Sequence, residues 1–227
     1  MSEIERVRER YARRRHSEAT WDTLAPHNYL PMQEKERALI RWLGSCGIAP
    51  LAQRRLLDIG CGSGGDLLAL IRLGFDPANL VGCELLEHRA DAARRRLPGA
   101  LRIECGDALQ VPLQDGSFDV VMQSTVFTSL LDAGFQQQLA DRMWSLARPG
   151  GGILWFDFVY DNPRNPDVRG VPRSRIRELF PHGDMRCWRV TLAPPIARRV
   201  TRITPALYGA LDALPFLRTH VLCWISK

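Results

Sequence analysis

Short apolar runs of strand length recur along the middle of the chain, at residues 55–59, 80–84, 101–105, 118–123 and 153–159. Between them lie stretches of helical character at 66–73, 87–97 and 133–147. Gly74 is placed to close the first of these helices and Pro98-Gly99 the second, and Pro149-Gly-Gly-Gly152 predicts a turn before the fifth run. Strands alternating with helices of this length predict crossover units, hence an α/β fold, doubly wound and Rossmann-like, with helices on both faces of a parallel sheet. Two further β-prone runs, 185–192 and 220–225, have no long helical signal ahead of the first and predict an antiparallel pair at one edge. Ahead of the sheet the pattern is helical, charge-dense at 4–15 and carrying apolar positions 39, 40, 42 and 43 in the stretch 32–43, with Gly44 and Gly47 predicted to stop it.

No internal repeat or low-complexity linker interrupts this pattern. With 227 residues the chain is expected to form one domain. Residues 1–45 would be a helical cap, 46–160 a binding core, and 161–227 a loop and C-terminal strands on the substrate side. At 45% hydrophobic and 25% charged residues the composition is globular. No apolar run reaches the ~18–20 residues needed to span a bilayer. The opening Met1-Ser-Glu-Ile-Glu-Arg mixes charges with no apolar core behind it, so a cytoplasmic location is expected. The net charge of +6 would suit an anionic partner. However, the 31 basic residues are all arginine except Lys35 and Lys227, and no concentrated basic block stands out. The six cysteines (46, 61, 83, 105, 187, 223) have no zinc-like spacing and read as small buried thiols of a reducing compartment, without disulfides.

The sharpest motif is Leu56-Leu-Asp58-Ile-Gly60-Cys-Gly62-Ser-Gly64-Gly65-Asp66, passing from strand to helix. Glycines there let a ligand approach the backbone, and the helix presents free N–H groups. Gly60, Gly62 and Gly65 also satisfy the dinucleotide pattern G-x-G-x-x-G, so alone the motif leaves the ligand open. Glu84 ends the second strand, 24 positions after Gly60, where a carboxylate accepts both hydroxyls of a ribose. Asp107 follows the third strand, placed for an adenine amine. Together with the glycine motif, these two acids at the carboxyl ends of three successive strands describe a nucleoside site at a switch point.

Residues 56–65, Glu84, Gly106-Asp107-Ala108, Asp115-Gly-Ser-Phe-Asp119-Val-Val and Leu146-Ala-Arg-Pro-Gly-Gly-Gly152 together resemble the successive motifs of class I S-adenosylmethionine-dependent methyltransferases, over roughly residues 35–160. The later stretches at 160–170, 190–195 and 214–220 resemble a narrower bacterial subgroup associated with surface-glycan or secondary-metabolite biosynthesis. The resemblance implies a seven-stranded, mostly parallel sheet with one antiparallel strand near its edge. It implies S-adenosylmethionine as methyl donor and S-adenosylhomocysteine as product. It places the methionine end against Asp58, Gly60, Cys61 and Gly62, the ribose on Glu84, the adenine beside Leu85, Asp107 and Ala108, and the sulfonium near Gln123. Tyr11 and Tyr29, the latter in a 25–29 loop, would close over the cofactor. No metal is required by this chemistry.

The acceptor is expected between the loops after the fourth and fifth strands. Ser124, Thr125 and Thr128 come from the first; Asn162, Arg164, Asn165 and Arg169 come from the second, whose prolines also suit consecutive turns. The candidates for a base are Asp157, His27 and His220, with Asp157 or His27 preferred and Tyr160 as hydrogen-bonding partner; a sugar hydroxyl needs such a base, a phenolate or amine much less. The acceptor would be a small molecule, glycan or natural product, methylated on oxygen or nitrogen by a monomer or homodimer. Competing readings are a NAD(P)-dependent oxidoreductase, disfavoured by the absence of a Tyr-x-x-x-Lys pair, and a nucleic-acid methyltransferase, disfavoured by the lack of a Pro-Pro-Tyr motif after strand four. A cofactor-binding protein without activity is a further alternative. The segment 196–217, mixing arginines with leucines, reads as a packed lid or core piece, or as a peripheral membrane contact.

Overall fold

The computed structural model describes residues 2–14, 22, 24–163 and 165–227. Seven strands, β1 (Leu56–Ile59), β2 (Leu80–Glu84), β3 (Arg102–Cys105), β4 (Phe118–Ser124), β5 (Ala147–Phe158), β6 (Asp184–Leu192) and β7 (Arg218–Ser226), form one sheet in the order β3-β2-β1-β4-β5-β7-β6. The first five are parallel; β7 inserts antiparallel between β5 and β6. Helices α1 (Glu3–Arg14), α2 (Pro26–Cys46), α3 (Gly65–Leu73), α4 (Glu87–Arg96), α5 (Ala133–Leu146), α6 (Arg173–Leu179), α7 (Pro194–Ile203) and α8 (Ala206–Asp212) make up the rest.

Side-chain alternation along the strands divides the core into two layers. Leu56, Val120, Met122, Leu154 and Leu222 pack under α2, α3 and α4, around Trp42. Leu57, Val121, Ile153, Trp155 and Val221 face the other way, beneath α5 and α6. The central strands are buried on both sides, as a parallel sheet under two helix layers requires. Trp42 and Trp155 are wholly buried and each meets another ring, Trp224 at 5.5 Å and Phe127 at 4.5 Å respectively. Burying side chains of this size contributes on the order of 2–3 kcal/mol each.

Several boundaries differ from the sequence expectation for local reasons. The second helix begins at Pro26, because proline suits the first helical position, and it runs through Pro31 and Gly44 to the left-handed cap Gly47. The 25–29 segment is therefore mostly its first turn and not a closing loop. Pro149-Gly-Gly-Gly152 is no turn ahead of a strand: β5 already starts at Ala147, and its pairing with β4 shifts register between Phe118 and Val120. The expectation of six free thiols is corrected: Cys187 and Cys223 form a disulfide. They lie directly opposite on β6 and β7, a proximity created by sheet pairing across 36 residues that linear spacing does not reveal. Cys105 is exposed, because β3 is the sheet edge, while Cys61 and Cys83 are buried as expected.

Candidate active site

The carboxyl ends of β1, β2 and β4, with the turns that follow β2 and β3, meet over one cavity. After Ile59 the chain bends back, and the amides of Gly60 and Cys61 both donate to the carbonyl of Cys83 (2.7 and 3.0 Å). Gly60 (φ 71°) and Gly62 (φ 56°) occupy left-handed backbone, and a Cβ at Gly60 would overlap the Val126 side chain. Glu84 is fixed by two amides: Oε2 accepts from Gly62 (2.8 Å) and Oε1 from Leu86 (2.9 Å). Each oxygen keeps a further acceptor position for a ligand hydroxyl. Asp107 is steadied in the same way by the Leu109 amide (3.0 Å). Gly60, Glu84, Leu85, Asp107, Ala108, Ser124 and Thr125 line the cavity, as does Tyr11, over whose ring the Arg89 guanidinium sits at 5.4 Å.

The other wall is α1, which contributes Ile4 and Val7 as well as Tyr11. It is fastened to the segment after β4. Arg10 donates to Glu3 (2.6 Å) and to the Ser129 carbonyl (2.9 Å), and Glu3 accepts from the Leu131 amide (2.9 Å). Burial alone would raise the Glu3 carboxyl, but the Leu131 amide and the two guanidinium groups of Arg10 and Arg6 prevail and lower it. With α1 in place the cavity encloses about 120 Å³. Small-molecule sites usually start near ~300 Å³, so the cavity with α1 in this position is narrow.

Asp58 sits behind the glycine turn, 1% exposed, and neither carboxylate oxygen has a hydrogen-bond partner. Burial, then the neighbouring Asp66, push its carboxyl well above the usual range against the pull of Lys35. A buried acid without a donor is costly to the fold. A cationic ligand group would relieve that cost, and an α-amino group is of this kind.

Lys35 went unassigned in the sequence, because a single lysine on a helix carries no signal. Its Nζ bonds both oxygens of Asp66 (2.7 and 2.6 Å) and Ser124 Oγ (2.7 Å), above the Phe156 ring at 4.4 Å. It thereby ties α2 to the first turn of α3 and to the end of β4. His220 lies in the same neighbourhood, its ring stacked on Phe156 at 5.3 Å. Burial and the charge of Lys35 lower its pKa to about 4, so at neutral pH the imidazole is uncharged.

The other expected site residues are distributed less favourably. Asp157 is wholly buried; Oδ1 accepts from the Thr128 hydroxyl (2.7 Å) and the Phe158 amide (3.0 Å), and Oδ2 from the Thr128 amide (3.2 Å). Burial lifts its pKa to about 7, with those donors pulling the other way. Asp157 and Thr128 therefore brace β5 against the 127–129 turn and neither lines the cavity. Gln123 is likewise buried and takes the Val126 amide (3.0 Å). His27 stands in the first turn of α2, and Tyr29 and Tyr160 are each 49% exposed; none of the three lines the cavity. Cys61 packs in the core below the turn. Asn165 accepts the Asp167 amide (3.2 Å) in a turn with Asn162, Arg169 donates its amide to the Thr128 carbonyl (2.8 Å), and Arg164 lies outside the described residues.

Residues 56–151 match the family described as methyltransferase domain. Among curated relatives, a demethylmenaquinone methyltransferase of Deinococcus radiodurans is 32% identical over 132 residues, covering 57% of this chain and 51% of that protein. A phthiotriol/phenolphthiotriol dimycocerosates methyltransferase of Mycobacterium ulcerans is 38% identical over 131 residues, covering 57% and 46%. The chain thus spans about half the length of the curated relatives it matches. The fold is shared with geranyl diphosphate C-methyltransferase from Streptomyces coelicolor A3(2), at TM-score 0.62 and 16% identity over 84% of this chain and 78% of that one. It is also shared with magnesium protoporphyrin IX methyltransferase from Synechocystis PCC 6803, at TM-score 0.61 and 14% identity over 87% and 81%. Residues 56–151 of the chain are therefore similar to a methyltransferase domain, and the seven-stranded sheet built around them has the fold of these solved methyltransferases.

Proposed function

We propose that this protein transfers a methyl group from S-adenosylmethionine to a hydroxyl, or an amine, of a small and predominantly apolar metabolite. The observation that carries the reading is the convergence of Glu84, Asp107 and the glycine turn on one cavity, backed by an acid, Asp58, whose oxygens are unpartnered. The residues fit the donor: Asp58 would take the ammonium end, Gly60 and Gly62 leave room beside it, Glu84 would accept the ribose hydroxyls and Asp107 the adenine amine. When bound, S-adenosylmethionine supplies a methyl already activated by its sulfonium. What remains for the chain is to orient the acceptor and to exclude water.

Ser124 and Thr125 end β4 on the cavity wall and are placed to position the acceptor. Lys35 holds Ser124 and supplies positive charge nearby, which favours an acceptor oxygen in its ionised form. Tyr11, with the rest of α1, and Arg89 of α4 close the opposite side. Asp157, His27 and Tyr160 are set back from the cavity, so the arrangement favours acceptors that need little help in losing a proton, such as a phenol or an enol. The names of relatives support the apolar class, since demethylmenaquinone and phthiotriol dimycocerosates are lipid-like. A dinucleotide oxidoreductase is the weaker reading, because the antiparallel β7 departs from the all-parallel 3-2-1-4-5-6 order of that fold.

The test is incubation of the purified protein with methyl-labelled S-adenosylmethionine and matched phenolic, sugar and amine acceptors. Label in the apolar phenols above the sugars is the expected result. Label confined to sugars, or to RNA, would replace this acceptor class.

A further inference from the structure

The third apolar cluster of the molecule lies away from the cavity, where α7 and α8 cover β6 and the start of α2. Their inner faces are conventional: Ile196, Ala197 and Val200 of α7 and Tyr208 and Leu211 of α8 pack with Leu30 and Leu192. Their outer faces are not. On α7, Arg199, Arg202 and Ile203 stand at i, i+3 and i+4 and share one side, with Arg198 beside them. Ile203 is 77% exposed and Phe216, in the turn before β7, 72%; Leu207 and Leu214 are exposed between them. Across residues 193–217 Asp212 is the sole acid, and it is buried and paired with Arg218 (3.2 Å). The outward surface of this segment therefore carries three positive charges, no negative one, and four large apolar side chains in water.

We propose that the outer face of α7, α8 and the following turn docks on an anionic lipid bilayer. Ile203, Leu207, Leu214 and Phe216 would enter the headgroup–acyl boundary, and Arg198, Arg199 and Arg202 would meet lipid phosphates. An anionic bilayer satisfies both halves of the surface, the apolar side chains and the unopposed cations, whereas RNA would engage the arginines and leave the aliphatic groups wet. The contact is peripheral: among the described residues no helix is long and apolar enough to cross a membrane. The docked face is joined to the cavity by α2. Tyr208 of α8 donates to Glu34 (3.0 Å), Glu34 accepts the Thr191 amide (2.7 Å), and the next residue, Lys35, reaches Ser124 on the cavity wall. Docking itself stands apart from the proposed activity; the consequence that the acceptor is drawn from the bilayer rests on it.

The test is co-sedimentation of the whole chain with vesicles of mixed phosphatidylglycerol and phosphatidylcholine, beside pure phosphatidylcholine vesicles, at low and high salt. Partition to the anionic vesicles, weakened by salt and at least about tenfold below that level on phosphatidylcholine, is expected from three cations near a charged surface. Each of Arg198→Gln, Arg199→Gln and Arg202→Gln should weaken it by about fivefold. Ile203→Ser with Phe216→Ser should weaken binding on both kinds of vesicle. Absence of partition, indifference to both sets of substitutions, or binding of single-stranded RNA in preference to vesicles would overturn the proposal. Titration of the same variants with S-adenosylhomocysteine separates the two ideas: retained binding leaves the methyltransferase reading standing when docking fails.

Discussion

Asp58 is the residue whose position makes least sense for stability alone. A fully buried carboxyl with two unpartnered oxygens weakens a fold, and under the proposed function its place beside the glycine turn is where the ammonium end of the donor would be received. Glu84 is different, since the amides of Gly62 and Leu86 already satisfy it and also aim it. Glu84→Gln keeps one acceptor oxygen and the size of the side chain, but loses the charge that strengthens bonds to ribose hydroxyls. It should weaken S-adenosylhomocysteine binding by about tenfold or more, at about 1.5–3 kcal/mol for a charged hydrogen bond, with the far-ultraviolet dichroism unchanged. Equal affinity in a calorimetric titration would mean the ribose is held elsewhere. The positions of Asp58 within β1, of Glu84 at the end of β2 and of Asp107 just after β3 were legible in the sequence, because the crossover units fix that spacing. Lys35 was not, since nothing in a helix marks the lysine that will reach two other elements. The contacts of Asp157 were not legible, because a polar residue at a strand end looks presented and only the fold brings Thr128 against it.

At the scale of elements, α2 joins the parts of the site. Glu34 and Lys35 are adjacent, yet one faces the α7–α8 layer and the other the cavity. Lys35→Met removes three hydrogen bonds at a partly exposed pair, which should lower stability by about 1–3 kcal/mol. The loss should depend on pH with a definite sign. Lys35 opposes the upward push on Asp58, so its removal lifts that carboxyl further. A group whose folded pKa is raised stabilises fully below its unfolded value and loses that contribution as pH rises through the folded one. Thermal melts of the variant should therefore fall further below the parent at pH 8 than at pH 5; an equal gap at both would place Asp58 outside the reach of Lys35. Most element types followed from periodicity, since two-faced burial of β1, β2 and β4 produces continuous apolar runs. The start of β5 escaped notice because three glycines signal a turn locally, while sheet pairing with β4 draws them into the strand. The Cys187–Cys223 link escaped for a related reason, as only the antiparallel register of β6 and β7 sets the two opposite.

Taken whole, the molecule is a sheet whose carboxyl edge gathers Glu84, Asp107 and the glycine turn beneath α1, with α7 and α8 packed on β6 and the start of α2. The parallel order turning outward on either side of β1 and β4 creates the crevice there, as open α/β sheets do at a reversal of strand order. The central claim is that this crevice takes the methyl donor through Asp58. Calorimetric titration with S-adenosylhomocysteine, beside NADH, in two buffers of different ionisation enthalpy at mildly acidic pH, where burial keeps the Asp58 carboxyl protonated, tests it most directly. The account predicts binding of S-adenosylhomocysteine alone, with proton release to the buffer as its ammonium group allows Asp58 to ionise, and loss of that release in Asp58→Asn. Binding of NADH in its place, or binding of S-adenosylhomocysteine with no buffer dependence in the parent protein, would contradict it.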